Sequence, residues 1–116
     1  MPAAAYDFEI EQGATFSLAF TWKDEAGAVI PLTGYTARMQ IRSSVTSPDV
    51  LLDLTTENDR LVIDEPNGRV TIALTPVVTA AITWRKGVYD LELVSPTGDV
   101  KRLVAGNVTL SREVTR

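Results

Sequence analysis

The sequence predicts an all-β fold, an antiparallel sandwich. Three observations lead there. Apolar residues recur at every second position: Phe16, Leu18, Phe20 and Trp22 alternate with Ser17, Ala19 and Thr21, and Tyr35, Ala37, Met39 and Ile41 alternate with Thr36, Arg38, Gln40 and Arg42. Period two marks a strand with one buried face and one wet face. Such runs are short and are separated by Gly, Pro, Asn and Asp at spacings of roughly 8–12 residues, the rhythm of a sandwich or small barrel. No strand–helix–strand unit is visible, so a parallel α/β sheet is not expected.

In order, residues 1–5 are expected to be a flexible tail. Tyr6, Phe8 and Ile10 then alternate with Asp7, Glu9 and Glu11, a first strand with an acidic outer face. These acids lack the loop geometry of a calcium site, and same-face neighbours on a strand lie about 7 Å apart. A solvated edge that discourages strand-on-strand aggregation is the simpler reading. Phe16–Trp22 is the second strand, Ala28–Ile30 a short return, and Pro31 marks a strand end. Tyr35–Arg42 follows, and Arg38, Gln40 and Arg42 form a solvent-facing stripe that in an oligomer would face an acidic neighbour. Residues 43–49 read as a loop, and 50–55 as a strand with Leu52 and Leu54 inward. Residues 61–74 form a hairpin around Asp64-Glu65-Pro66-Asn67-Gly68, with Asn-Gly expected to supply positive φ angles.

Thr75-Pro76 is the one helix signal, an N-cap followed by proline at the first helical position. It predicts a short helical turn over 76–82, with Val77, Val78, Ala81 and Ile82 plugging an open end of the sandwich. Arg85-Lys86-Gly87 is a basic turn. Residues 88–104 form a second hairpin. Gly106 suggests a bulge, and 108–114 is a last strand. The expected fold is an antiparallel, immunoglobulin-like β-sandwich of about 7–9 strands in one domain, 1–116.

Composition narrows the function classes. The 116 residues are 45% hydrophobic and 22% charged, with a net charge of −4, an ordinary globular balance. An acidic chain disfavours nucleic-acid binding. No Cys and no His occur, which removes thiolate chemistry, disulfides, and the commonest general base and transition-metal ligand. No apolar run approaches the roughly 20 residues of a membrane helix. The N-terminus lacks the basic and apolar regions of a secretory signal, so an origin in the cytosol is expected. Asn107-Val108-Thr109 therefore carries no meaning as a glycosylation site.

Charge is uneven. Residues 1–65 hold eleven acidic and four basic side chains, net −7, and residues 66–116 hold four and seven, net +3. Solvated faces explain this blandly. A subunit with one acidic and one basic side, suited to repeated contacts, explains it functionally.

Candidate chemistry is thin. No Gly-x-Ser-x-Gly, phosphate loop or metal motif occurs. Asp90 and Glu92, two apart on one strand, are the only paired carboxylates worth weighing for glycoside cleavage, and no cleft signal accompanies them. No enzyme, cofactor, metal or small-molecule ligand is expected. Most aromatics lie on the apolar side of a strand and read as core. Trp84, beside Arg85 and Lys86 in a turn, is the exception, because Trp and Arg are enriched at interface hot spots.

Three blocks carry a likeness to known proteins: Phe8–Phe16, Phe20–Asp24 and Pro31–Arg42. Leu74-Thr75, Ala80–Trp84, Gly87–Leu93 and the ending Gly106–Arg116 fit the same group. Together they resemble a family of small phage and prophage proteins over nearly the whole chain. The likeness extends more loosely to the N-terminal β-sandwich of phage baseplate upper proteins. It implies a virion structural protein without catalytic residues, present in several copies or as a homo-oligomer. Its partners would be other virion proteins in the tail, baseplate or fibre-attachment region, with no nucleic-acid or membrane partner. Capsid decoration or head–tail joining is the alternative in that class, and a carbohydrate- or receptor-binding module the alternative outside it. The expected docking surfaces are the strand edges, carrying Tyr6, Phe8, Val108, Leu110 and Arg112, and the turn Trp84, Arg85, Lys86.

Overall fold

A computed structural model describes residues 3–115. The strands are β1 (Ala4–Ala5), β2 (Phe8–Glu11), β3 (Phe16–Thr21), β4 (Thr36–Arg42), β5 (Leu52–Thr55), β6 (Leu61–Asp64), β7 (Arg69–Leu74), β8 (Lys86–Val94) and β9 (Val100–Ser111). One short helix, α1 (Pro76–Ala80), lies between β7 and β8. They form two sheets. In the larger, β1-β9-β8-β4-β5 run side by side and β2 continues the β1 edge on β9; in the smaller the order is β3-β7-β6.

The period-two runs behave as their patterning requires. Ala37, Met39 and Ile41 of β4, Tyr89, Leu91 and Leu93 of β8, and Val70, Ile72 and Leu74 of β7 point into the space between the sheets and are buried. Phe16, Leu18, Phe20, Trp22 and Tyr35, expected at the centre, are only partly buried against that core. For Phe16, Leu18 and Phe20 the reason is topological: β3 is one of the two outer strands of the smaller sheet, so its inward side chains sit on a seam. Aromatic pairs close that seam, with Tyr6 edge-on to Phe20 at 5.6 Å and Phe8 stacked on Phe16 at 5.3 Å. Such pairs add about 0.5–1.5 kcal/mol beyond their buried area.

Several expectations are corrected. Ala4 and Ala5 of the expected tail pair with Val104 and Ala105; residues 1 and 2 lie outside the described residues. The first strand pairs with β9 in parallel, Phe8 with Val108 through Glu11 with Ser111, so the sandwich is not wholly antiparallel. The C-terminal strand is thereby no free edge. The short return over 28–30 is a single bridge, Lys23 to Val29. In the 64–69 turn only Gly68 has positive φ, so Asn67 does not take the left-handed role.

The bulge expected at Gly106 is absent, and β9 runs unbroken through 105–107. The irregularity lies instead where Leu91 faces Val104 and Glu92 faces Arg102, leaving Leu103 as the extra residue. Gly106 has a different job. A Cβ there would collide with the carbonyl of Tyr6, because the link between β1 and β2 lies directly on it. Tyr6 donates its N–H to the Ala105 carbonyl at 3.0 Å, and the Asp7 carboxylate accepts from the Asn107 N–H at 2.8 Å.

Candidate functional site

The two ends of the sandwich differ, and the end carrying α1 holds the candidate site. Thr75 caps α1, its hydroxyl accepting from the Val78 N–H at 3.3 Å, and Pro76 fits the first turn. The helix stops at Ala80, short of the expected residue 82. Buried Thr79 donates its hydroxyl to the Ala14 carbonyl at 2.8 Å, locking the helix to the β2–β3 turn. Gln12 ties the same end together: its amide donates to the Ile82 carbonyl at 3.0 Å and accepts from the Glu113 N–H at 3.0 Å. The Leu110 N–H donates to the Arg85 carbonyl at 2.8 Å, fixing the turn after Trp84. Every segment at this end is held by a bond to another, so its surface is preorganised.

That surface is a shallow apolar groove of about 410 Å³ between α1 and the start of β5, walled by Leu51, Leu52, Val77, Val78, Ala81 and Trp84, with Arg60 at its side. Of the four residues expected to plug the end, Val78 packs on the core and Ile82 is buried, whereas Ala81 is exposed and Val77 is 80% exposed. At about 100° per residue Val77 lies about 200° from buried Thr79, so it faces away from the core, and Ala81 and Ile82 lie beyond the helix. Trp84 is half-buried against the core. Arg85 and Lys86 beside it are exposed and enter no ion pair among the described residues.

The other sequence-derived candidates scatter. Phe8 and Val108 are buried, each other's partner in the β2–β9 ladder, and present no docking side chain. Tyr6 is 47% exposed and spans the seam to Phe20. Leu110 is half-buried and Arg112 exposed just past β9. The groove joins none of Tyr6, Phe8, Val108, Leu110 or Arg112 to Trp84. Sequence reasoning missed Leu51, Arg60 and the outward turn of Val77. The wide apolar arc of α1 was the available signal for the last.

The outer face of the larger sheet holds two depressions of about 470 and 550 Å³. Two ion pairs engage four of its charges. Arg38 pairs with Glu92 at 2.8 Å, Arg102 with Asp90 at 3.5 Å, and Arg42 donates to Gln40 and to the Ser47 carbonyl. The expected acidic neighbour for the Arg38–Arg42 stripe is thus largely supplied within the chain, and Asp90 and Glu92 face arginines. No group of three or more acidic side chains converges as a metal site among the described residues. One titration is displaced. Burial, and then the nearby Asp7 and Tyr6, push the Tyr89 phenol well above its ordinary value, and its hydroxyl donates to the Tyr6 carbonyl at 2.6 Å. That tyrosine fastens the β1–β2 link.

No family model matches the sequence, and no curated protein matches it. Solved structures do, 218 chains in number. One is a chicken TCR, superposing with a TM-score of 0.58 at 8% identity over 97% of this chain and 55% of that one. The fold is an immunoglobulin-like β-sandwich. This chain spans about half of the TCR chain it matches, and at that identity the likeness concerns architecture alone. Within the immunoglobulin-like frame, α1 caps the crossing from β7 in the small sheet to β8 in the large one, which is where the groove opens.

Proposed function

We propose that this immunoglobulin-like domain is a non-catalytic structural component of a tailed-phage particle. It acts through protein–protein contacts in the tail, baseplate or fibre-attachment region. The observation that carries the contact-making part is the groove at the α1 end. It is apolar, braced from beneath and neighboured by Arg85 and Lys86, which enter no ion pair among the described residues, and this fits an interface core with a charged rim. The particle assignment rests on the sequence blocks that resemble phage and prophage proteins. Asp90 and Glu92, the carboxylates weighed for glycoside cleavage, are engaged by Arg102 and Arg38, which supports the non-catalytic reading.

The test is sedimentation of particles from a phage or prophage that encodes the chain. The expected result is co-sedimentation in multiples of three or six copies. Hundreds of copies would move the reading to capsid decoration. Absence from purified particles, with binding to host glycans instead, would replace it by a receptor-binding module.

A further inference from the structure

We infer that the α1-end groove is the socket for the opposite end of a second copy of this chain, so that copies associate head to tail. The inference names the partner for the contact surface proposed above and rests on that reading only for its setting in a particle.

Three observations converge. First, the molecule measures 44 × 28 × 25 Å, and the twelve residues of β9, at about 3.3 Å each, account for the long dimension. The two ends are therefore roughly 40 Å apart and electrostatically independent, several Debye lengths from each other.

Second, the ends carry opposite charge. Around the groove and its neighbouring turns stand Arg42, Arg60, Arg85, Lys86 and Arg112 against Glu11, Asp49, Asp59 and Glu113, five minus four, or +1. At the far end stand Asp24, Glu25, Asp64, Glu65 and Asp99 against Lys23, Arg69 and Lys101, three minus five, or −2. Glu57 lies earlier in the β5–β6 turn. The imbalance along the sequence thus becomes an imbalance along the long axis.

Third, the acidic end presents a rigid knob. The 65–68 turn is bonded to the 22–32 segment by two backbone hydrogen bonds, Trp22 N–H to the Gly68 carbonyl at 2.8 Å and Leu32 N–H to the Glu65 carbonyl at 2.9 Å, and a third, Gly68 N–H to the Glu65 carbonyl at 3.3 Å, closes the turn itself. Val29 lies against Gly68 and is 39% exposed. Pro66 is exposed at the tip with Glu65 beside it. An apolar tip with an acidic flank matches an apolar groove with a basic flank. Pro66 and Val29 would cover Val77 and Trp84, and Glu65 would meet Arg85 and Lys86. Knob and groove are different patches, so the contact is heterologous and propagates into a row.

The experiment uses sedimentation velocity on the whole chain and two variants, Val77→Asp and Glu65→Lys. Both sites are exposed, and an acid in the first turn suits a helix, so circular dichroism should show native folding for each. The native chain should form a concentration-dependent series of oligomers. Each variant alone should be monomeric, with association weakened at least about tenfold. Mixed together they should give a 1:1 dimer and nothing larger, because each keeps one intact face. Native-like association of either variant alone, or a mixture that stays monomeric, overturns the inference. So does a native chain that is monomeric at millimolar concentration. If that monomeric chain still enters particles and Val77→Asp excludes it, the particle reading survives and only the self-partner fails. If the chain self-associates as described but is absent from particles, the particle reading fails and the self-partner stands.

Discussion

The outer face of the larger sheet and the α1 end are both surfaces with depressions and charges, yet they are built in opposite ways. On the sheet face, Arg38 and Glu92, Arg102 and Asp90, and Arg42 with Gln40 satisfy one another. At the α1 end the hydrogen bonds run underneath, through Gln12 and Thr79, while Val77, Trp84, Arg85 and Lys86 are left for something else. Polar pairing across a sheet stabilises the fold modestly and uses up recognition capacity. Bracing from below leaves the surface unspent. Depth alone does not separate the two, since the sheet-face depressions are the larger.

Substitutions sharpen this contrast. The largest stability effect should come from beneath the sheet face. Leu91→Ala removes a fully buried side chain between the sheets, and chemical denaturation should show a loss of about 3 kcal/mol. Gly106→Ala should follow, at about 2 kcal/mol, because the new methyl collides with the Tyr6 carbonyl. It should also raise hydrogen exchange in β1 and β2 selectively.

Tyr89→Phe should cost about 1 kcal/mol by removing the hydrogen bond to Tyr6. It has a pH signature as well. The folded-state phenol holds its proton above the ordinary value of 10.0, so the folded state binds that proton more tightly than the unfolded state. The resulting stability is complete below pH 10.0 and is lost as pH rises through the folded-state value. Melting curves above pH 10.0 should fall less steeply for Tyr89→Phe than for the native protein. An equal fall would break the link between this tyrosine and the β1–β2 edge.

Surface charges on the sheet face come next. Arg38→Ala should shift stability by no more than about 0.5–1 kcal/mol, the pair being solvent-exposed, and should leave association untouched. Smallest of all in stability is Val77→Asp, within about 0.5 kcal/mol at so exposed a site, although its effect on association should be the greatest.

Much of the fold was legible because it rests on local pattern. Period two in β4, β7 and β8, the Thr75-Pro76 helix start, and the hairpin closed by Gly68 all show in adjacent residues. What was not legible depended on distant partners. Nothing near Phe8 announces that it pairs in parallel with Val108, a hundred residues on, and so the C-terminal strand expected as a docking edge is covered by β2, which itself stays at the sheet edge. Gly106 looked like a bulge because the chain passing over it belongs to Tyr6. The core weight assigned to Phe16–Trp22 was too high because strand order, not strand pattern, decides which strand is outermost. Of the candidate site, Trp84, Arg85 and Lys86 were readable as an unusual turn. Leu51 and Arg60 were not, since Leu51 reaches the groove through the pairing of β5 with β4 and Arg60 through that of β6 with β7.

The central claim is that the α1 end makes the contacts and the sheet face does not. A dilution series followed by amide and indole NMR tests it most directly. As concentration rises, signals of Val77, the Trp84 indole and Glu65–Gly68 should move together, while those of Arg38, Gln40, Asp90 and Glu92 stay fixed. Movement confined to the sheet-face residues, with Val77 and Trp84 unmoved, would contradict the account.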